Sequence, residues 1–538
     1  MALLPAFTPQ AIQETVCDLP TIRGLLEERA EKDPEHIYCS FAGQDYTIGE
    51  IDRRANQIAN GLLELGLRPG DRVILMLDHH PEHVAVLFAL AKAGLVRVSV
   101  NIYFKGAALA HMLGHARPRA LIVDASHDEQ VEPELDRSSV EILVRRGGAS
   151  GPRPAVDFAR LWEHANAAPP PVRIEPDTVL AINYTSGTTG APKGALRSDK
   201  LLRAGPVAYR PLADLRPGDV MVNWEPFYHA GGTAILIAAL MVPITLAMID
   251  RFSASQHWRQ IREAGATQLH FIGGILHLLL KQPPGPGDRY HRVRVAWGGG
   301  CPVEVWRRLE ERFGVRVHEG YGISEIANFV TINCDGRVGA VGRPLPYFDV
   351  SVADDAGRAV PTGELGEILI RGRERGLDFL GYFEDPAATS AAMRNGWFRT
   401  GDLGRFDADG YLHFAGRKKD SLRRRGVNIS AWEVERVIGE HEAIEECALI
   451  AVPSGLGDDD LKIVIKAAAG RRLDPLELIK WCEPRMPYFQ IPRYVAFIEE
   501  FPKTPSQRIR KGELPPTTAG CWDLEASGYR IDRKRVVS

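Results

Sequence analysis

The run Tyr184-Thr-Ser-Gly-Thr-Thr-Gly-Ala-Pro-Lys-Gly194 constrains this chain more than any other segment. It ends a β-rich stretch, Thr178 to Thr185, and gathers glycines, hydroxyl side chains and one lysine into a single loop. Glycines let backbone amides approach phosphate oxygens, hydroxyls add donors, and a lysine adds a point charge. A Walker A loop needs Gly-Lys-Ser/Thr at its end, whereas Lys193 here stands between Pro192 and Gly194. A Ser/Thr/Gly surface turn is the plain alternative. The density of matching residue types directly after a strand weighs against it.

The surrounding sequence alternates short apolar runs with helical patterns. Arg72 to Leu77, Ala120 to Val123 and Arg292 to Trp297 read as strands, and Pro81 to Ala93 as a helix. Pro302 to Phe313 reads as a helix with Val303, Trp306, Leu309 and Phe313 on one face. Such alternation predicts parallel α/β sheets. Segments 147–176, with a short helical piece near Leu161, and 282–288 read as surface loops. At 538 residues the chain exceeds what one core supports. After Gly416 the pattern becomes a compact α+β one, with helices near Trp432–Glu440 and Pro475–Arg485 and strands at 446–452, 461–468 and 493–499. The expected domains are therefore 1–418 and 419–538.

A formal net charge of −3 leaves no global basic field for nucleic acid or an anionic membrane. The seven cysteines include no C-x-x-C pair, which fits a reducing compartment without a zinc site or disulfide framework. The most apolar run, Ala234 to Ile249, is short for a span, is broken by Pro243 and reads as core. The start lacks a basic n-region. A soluble, cytoplasmic protein is expected.

The phosphate loop resembles that of the AMP-forming acyl-CoA synthetase, adenylation-domain and luciferase superfamily. Further motifs follow in that family's order: Gly320-Tyr-Gly-Ile-Ser-Glu325, Arg399-Thr-Gly-Asp402 and Tyr411-Leu-His-Phe-Ala-Gly-Arg417. The resemblance runs from Thr21 to the tail Cys521-Trp-Asp-Leu-Glu-Ala-Ser-Gly-Tyr529. It implies an α/β fold: a large N-terminal adenylate-forming domain with parallel sheets and a small mobile α+β C-terminal domain. It assigns nucleotide binding to Thr185, Ser186, Gly187, Thr188, Thr189, Gly190, Lys193, Gly299, Gly300, Glu319, Gly320, Tyr321, Gly322, Ser324, Asp402 and Arg417. Tyr321 would lie against adenine, Asp402 would accept from the ribose hydroxyls, and Glu325 would help hold Mg²⁺ when adenylation occurs.

The family first joins an acid to AMP, then turns the small domain so that a thiol can take the acyl group. Arg417-Lys-Lys419 resembles the hinge, with Lys419 as pivot, and Ser421 to Ser430 the loop that then faces the site. Gly426 would line the tunnel for CoA, a co-substrate alongside acyl-AMP or ATP. The arginines 423–425 fit a solvated charge run in part. Asn223-Trp-Glu-Pro-Phe-Tyr-His-Ala-Gly-Gly232 resembles the segment carrying the gate residue, His229, whose plain alternative is a satisfied core histidine. Gly298, with Gly299 and Gly300, resembles one wall of the acyl channel. No Asp stands where amino-acid-activating relatives pair the substrate amine. Gly231, Gly232, Gly273 and Gly274 leave room for a bulky apolar acid. The whole pattern most resembles bacterial ligases of carnitine-type or diterpenoid acids.

One segment departs from the family. Where Pro-x-Thr-x-x-Gly-Lys is usual, the chain reads Phe501-Pro-Lys-Thr-Pro-Ser-Gln-Arg-Ile-Arg-Lys511, so Gln507 replaces the glycine and Arg508 the adenylation lysine. Arginine keeps the charge but is a broad planar fork. The expectation is thioester formation with adenylation weak or absent, and a separate adenylating enzyme as partner in that case. Alternatives remain open: Arg508 serves, or Lys503 or Lys511 takes over, giving a complete ATP-dependent synthetase; a carrier-protein-loading adenylating enzyme; or a non-enzymatic acyl-AMP binder. Catalytic weight falls on Lys193, His229 and Arg508.

Overall fold

The computed structural model describes residues 16, 18–148, 150–151, 153–185, 192–272, 275–418, 421–424, 427–453, 459–486, 488, 490–503 and 509–531. Contacts divide the chain into two units: Met1–Ser186, Pro192–Val350 and Ile370–Phe398 in the first, Gly187–Ala191, Ser351–Leu369 and Arg399–Ser538 in the second. The boundary expected at Lys419 falls inside the second of these, and Lys419 itself lies outside the described residues.

Two sheets organise the first unit. One runs, in spatial order, Val156–Asp157, Ile142–Arg146, Ala120–Asp124, Arg72–Met76, Val96–Ser99, Val179–Thr185 and Lys193–Ser198. Its strands are parallel except for the last pair. The other contains five neighbouring parallel strands, Arg316–Ile323, Val295–Gly299, Gln268–Ile272, Val220–Asn223 and Thr245–Met248. Central strands such as Arg72–Met76 and Ala120–Asp124 are buried on both faces, as near-continuous Val, Ile and Leu runs require. The apolar stretch from Ala234 is the second part of a helix, Ala230–Met241, followed by the strand Thr245–Met248. It is core, and among the described residues no helix is long and apolar enough to cross a membrane.

Three details differ from expectation. The strand expected from Arg292 starts at Val295 and takes in Gly298 and Gly299, paired with Phe271 and Ile272. No side chain could sit at Gly298, because a Cβ there would meet the Phe271 carbonyl oxygen at 1.9 Å. In the next helix, Val303–Phe313, Val303 is exposed and Val305 takes its place beside Trp306, Leu309 and Phe313. Val303 opens the helix, where Pro302 is the capping residue, so it sits at the rim of the buried face.

In the second unit Trp397–Phe406, from Arg399 onward, pairs antiparallel with Leu412–Arg417. A sheet ordered Ile444–Pro453, Asp459–Ala467, Tyr494–Phe497 and Trp522–Asp523 packs with the helices Ala431–Gly439 and Pro475–Cys482 around Val434, Leu449, Ile463, Leu478 and Val495. The tail is pinned as an edge strand: Arg493 donates to both carboxylate oxygens of Asp523 at 3.1 Å. In the segment expected to face the site after rotation, Ser421–Arg424 pairs antiparallel with Val427–Ser430, and Gly426 lies outside the described residues.

Candidate active site

Thr185 pairs with Lys193, so the phosphate-loop motif closes a β-hairpin rather than leading into a helix. The next helix, Asp199–Leu212, begins only after the second strand. Ser186, Gly187, Thr188, Thr189 and Gly190 lie outside the described residues.

The second strand of this hairpin has another neighbour. Phe383 donates its backbone N–H to Gly194 at 2.7 Å, and Leu196 donates to Gly381 at 3.0 Å. That pairing carries Tyr382 beside Lys193 and Glu325: the Lys193 ammonium lies 5.1 Å from the Tyr382 ring centroid, and the Tyr382 hydroxyl donates to Glu325 at 3.1 Å. Burial, then the Glu325 carboxylate, push the Tyr382 phenol up, so it stays a donor. Lys193 and Glu325, placed in different motifs by sequence, are thus brought to one aromatic side chain. Tyr382 carries no signal of its own in the sequence.

The Gly320–Glu325 motif lies at the end of the strand Arg316–Ile323, which pairs antiparallel with Ala327–Asn333. Close packing of that pair explains both glycines. A Cβ at Gly320 would meet the Phe329 ring at 2.4 Å, and one at Gly322 the Asn328 carbonyl oxygen at 2.1 Å. Tyr321 is mostly buried between them. The Ser324 carbonyl accepts from Arg197 at 2.7 Å. Arg197 is fully buried, and burial lowers its guanidinium to about 10. Sequence reading passed over it, since an arginine within Gly194-Ala-Leu-Arg-Ser198 carries no motif.

Glu319 is buried and accepts from the backbone N–H groups of Gly300 and Cys301 at 3.0 and 2.8 Å. Burial raises its carboxyl to about 8. It shapes the turn after Gly299 from beneath. The acyl-wall glycines are likewise packed against protein. A Cβ at Gly231 would meet both Glu225 carboxyl oxygens at 2.4 Å, and one at Gly232 the Pro226 carbonyl oxygen at 2.4 Å. The argument from small walls to a bulky apolar acid therefore loses Gly231 and Gly232, Gly298 is likewise closed against Phe271, and Gly273 and Gly274 lie outside the described residues.

His229 caps the helix Ala230–Met241 by position, and its side chain is 33% exposed. The preceding Phe227 is held at both ends of its residue. Its ring packs against His79 and His83, and its carbonyl accepts from Arg97 at 3.0 Å.

Within the second unit, strand register sets Asp402 directly opposite Arg417, with the guanidinium Nε 3.4 Å from the carboxylate. Such cross-strand ion pairs hold both side chains in place. Asp402 is almost covered, and Arg417 is more open. The neighbouring Glu367 is held by Arg399 at 2.7 Å and Lys418 at 3.1 Å. Arg508 lies outside the described residues. The two lysines that could substitute for it are engaged within their own unit: Lys503 with Glu446 at 2.8 Å and Lys511 with Glu435 at 2.7 Å.

Comparison with known proteins shows the family of the chain. The AMP-binding enzyme family matches residues 26–383, and the AMP-binding enzyme C-terminal domain matches residues 433–508. Crotonobetaine/carnitine–CoA ligase of Salmonella arizonae is 31% identical over 89% of this chain and 95% of its own length. Feruloyl-CoA synthase of an Amycolatopsis species is 30% identical over 90% and 96%. The crystal structure of the anthranilate CoA ligase AuaEII in complex with anthranoyl-AMP superposes with a TM-score of 0.84 at 25% identity, covering 92% of this chain and 97% of that one.

Proposed function

Since the chain belongs to the AMP-binding enzyme family and is an acid–thiol ligase of the AMP-forming type, we propose that it forms an acyl-CoA thioester from an acyl-adenylate and CoA, with the ATP-dependent adenylation step weak. The observation that carries the nucleotide part of this reading is the grouping of Lys193, Tyr382 and Glu325 beside the phosphate hairpin. Lys193 and the turn before it meet phosphate oxygens. Tyr321 lies against adenine, with Gly299, Gly300, Gly320, Gly322 and Ser324 shaping that pocket and Glu319 supporting it. Asp402, steadied by Arg417, accepts from the ribose hydroxyls. Mg²⁺ binds through one or two carboxylates together with substrate phosphates and water, so Glu325 is a sufficient protein ligand. The ion would supply charge neutralisation at the triphosphate.

In the thioester step the CoA thiol gives its proton to water and the resulting thiolate sulfur attacks the acyl carbonyl carbon. A C–S bond forms, the C–O bond to the phosphate breaks, and AMP leaves with the electron pair. His229 gates the acyl side, Gly426 leaves width for the pantetheine arm, and rotation about Lys419 exchanges the two faces of the small domain. The domain limits 1–418 and 419–538 belong to the same proposal. Weak adenylation rests on Arg508, and the engagement of Lys503 and Lys511 with Glu446 and Glu435 supports it. The acid is to be sought first among carnitine-type, hydroxycinnamic and aromatic acids, which the relatives' names suggest, and then among diterpenoid acids.

Product identity tests the assignment. Acyl-adenylates of these acids, given CoA or a phosphopantetheinylated carrier protein, are expected to yield the CoA thioester by mass spectrometry. Acylation of the carrier alone would make this a carrier-loading enzyme. Binding of MgATP gives a second test. Tyr382→Phe removes a hydrogen bond to a charged group, worth about 1.5–3 kcal/mol, and is expected to weaken binding tenfold or more by titration calorimetry. Unchanged affinity would separate Glu325 from the nucleotide.

A further inference from the structure

The acyl gate rests on a buried acid that the family motifs do not account for. The strand Val220–Asn223 ends, and the chain passes through Trp224, Glu225, Pro226, Phe227 and Tyr228 to His229 before the helix Ala230–Met241 begins. His229 occupies the capping position of that helix but makes no side-chain capping bond. Glu225 makes it instead: its carboxyl accepts the backbone N–H of Gly232, and the missing Cβ of Gly231 gives it the space. One carboxyl oxygen lies 3.8 Å from His229 Nδ1 and the other 3.7 Å from His270 Nδ1.

His270 has little freedom to move. Its ring stacks on Trp224 at 5.5 Å and lies 4.4 Å from Trp297. Among the described residues neither buried Glu225 Oε2 nor buried His270 Nδ1 has a hydrogen-bond partner, and the two face each other just beyond bonding distance. Most buried polar atoms in proteins are paired, so this facing pair calls for an explanation. Glu225, His270 and Trp297 cluster on or just after three neighbouring parallel strands, with Glu225 beyond a strand's carboxyl end, the side where α/β sheets bind ligands.

We propose that Glu225 is the positioning residue of the acyl gate: wedged between His229, His270 and the first turn of the helix, its carboxyl fixes the orientation of the His229 ring. The proposal rests on His229 as the gate of an acyl-CoA ligase. Burial raises the Glu225 carboxyl to about 8 and lowers the His270 imidazole to about 3, so near neutrality both are uncharged. The other titratable groups facing it are Tyr209 from the helix Asp199–Leu212, Tyr228 from its own loop, and His79, whose ring bonds the Glu225 backbone. Burial raises both phenols and lowers His79 to about 4, so none supplies a compensating charge. An acid with a raised pKa is neutral below it and gains charge above it. Above pH 8 a negative charge therefore appears beneath a site built for an anionic acyl-adenylate.

The experiment uses the full chain, wild type and Glu225→Gln, with preformed acyl-AMP and CoA from pH 6.5 to 9.5. Glutamine keeps the shape and the capping acceptor, so folding is preserved. In the wild type, KM for acyl-AMP is expected to rise about tenfold above pH 8, a like-charge effect, while Glu225→Gln stays flat. The rise in kcat from the CoA thiolate should be common to both. Independently of turnover, the imidazole ¹⁵N signals of His229 are expected to inflect near pH 8 in the wild type and not in Glu225→Gln. The absence of that inflection overturns the proposal whatever the enzyme's activity. An inflection with identical KM profiles in the two proteins also overturns it. Failure of thioester formation with the inflection intact counts against the ligase reading instead.

Discussion

Converting Arg508 to Lys and Gln507 to Gly in one chain is expected to raise exchange of labelled pyrophosphate into ATP by about 10²–10³-fold. The exchange reads the adenylation step alone, because it needs no CoA. The gain follows from what the missing lysine does in the family this chain resembles: it meets the acid's carboxylate and the α-phosphate as charge develops between them. A preorganised donor acts at full strength only when its atom sits where the charge will be. A guanidinium is wider, plane-bound and needs a different approach, and Gln507 denies the backbone the freedom a glycine would give. The change should leave thioester formation from preformed acyl-AMP within a few-fold, since a residue serving only adenylation leaves the second step alone. Robust exchange by the unaltered protein with its cognate acid would show that Arg508 serves and that the chain is a complete synthetase. No gain in the double variant would move the lesion elsewhere, with the acyl pocket first in line.

Asp402→Ala is the second large effect. On the proposed placement of the ribose, two hydroxyls lose a carboxylate acceptor, each charge-assisted hydrogen bond being worth roughly 1.5–3 kcal/mol, so acyl-AMP affinity is expected to fall about 10²–10⁴-fold by calorimetry. The substitution also strands Arg417, which faces Asp402 across paired strands. Asp402→Asn separates the two consequences. It keeps the shape and one acceptor, so its affinity should lie between wild type and Ala, with the thermal midpoint near that of the wild type. Equal affinity in all three proteins would show that the ribose lies elsewhere.

The parts of this chain most legible in its sequence are those governed by local rules. Buried parallel strands announce themselves as Val/Ile/Leu runs, so Arg72–Met76 and Ala120–Asp124 were placed within a residue or so. Asp402 and Arg417 lie in motifs that also happen to be strand partners. What escaped was set by long-range pairing. Lys193-Gly-Ala-Leu-Arg-Ser198 does not read as a strand, and becomes one because Val179–Thr185 and the 381–383 segment flank it. That same pairing delivers Tyr382 to Glu325, across an interval of 57 residues that no local pattern spans. The strand at Val295 extends into glycines because its neighbour Phe271 needs the space a side chain would take. Glu225 was hidden by chemistry: an acid between Trp224 and Pro226 reads as surface, and only the fold shows it 2% exposed between two histidines.

The account stands on the thioester-forming half-reaction, and the most direct measurement is the rate of CoA-thioester formation from preformed acyl-AMP and CoA, without ATP, across the carnitine-type, hydroxycinnamic, aromatic and diterpenoid acids. At least one adenylate should be converted in many turnovers, and faster than from the matching free acid with MgATP. An enzyme that binds every adenylate tightly yet turns none into a CoA thioester would contradict it.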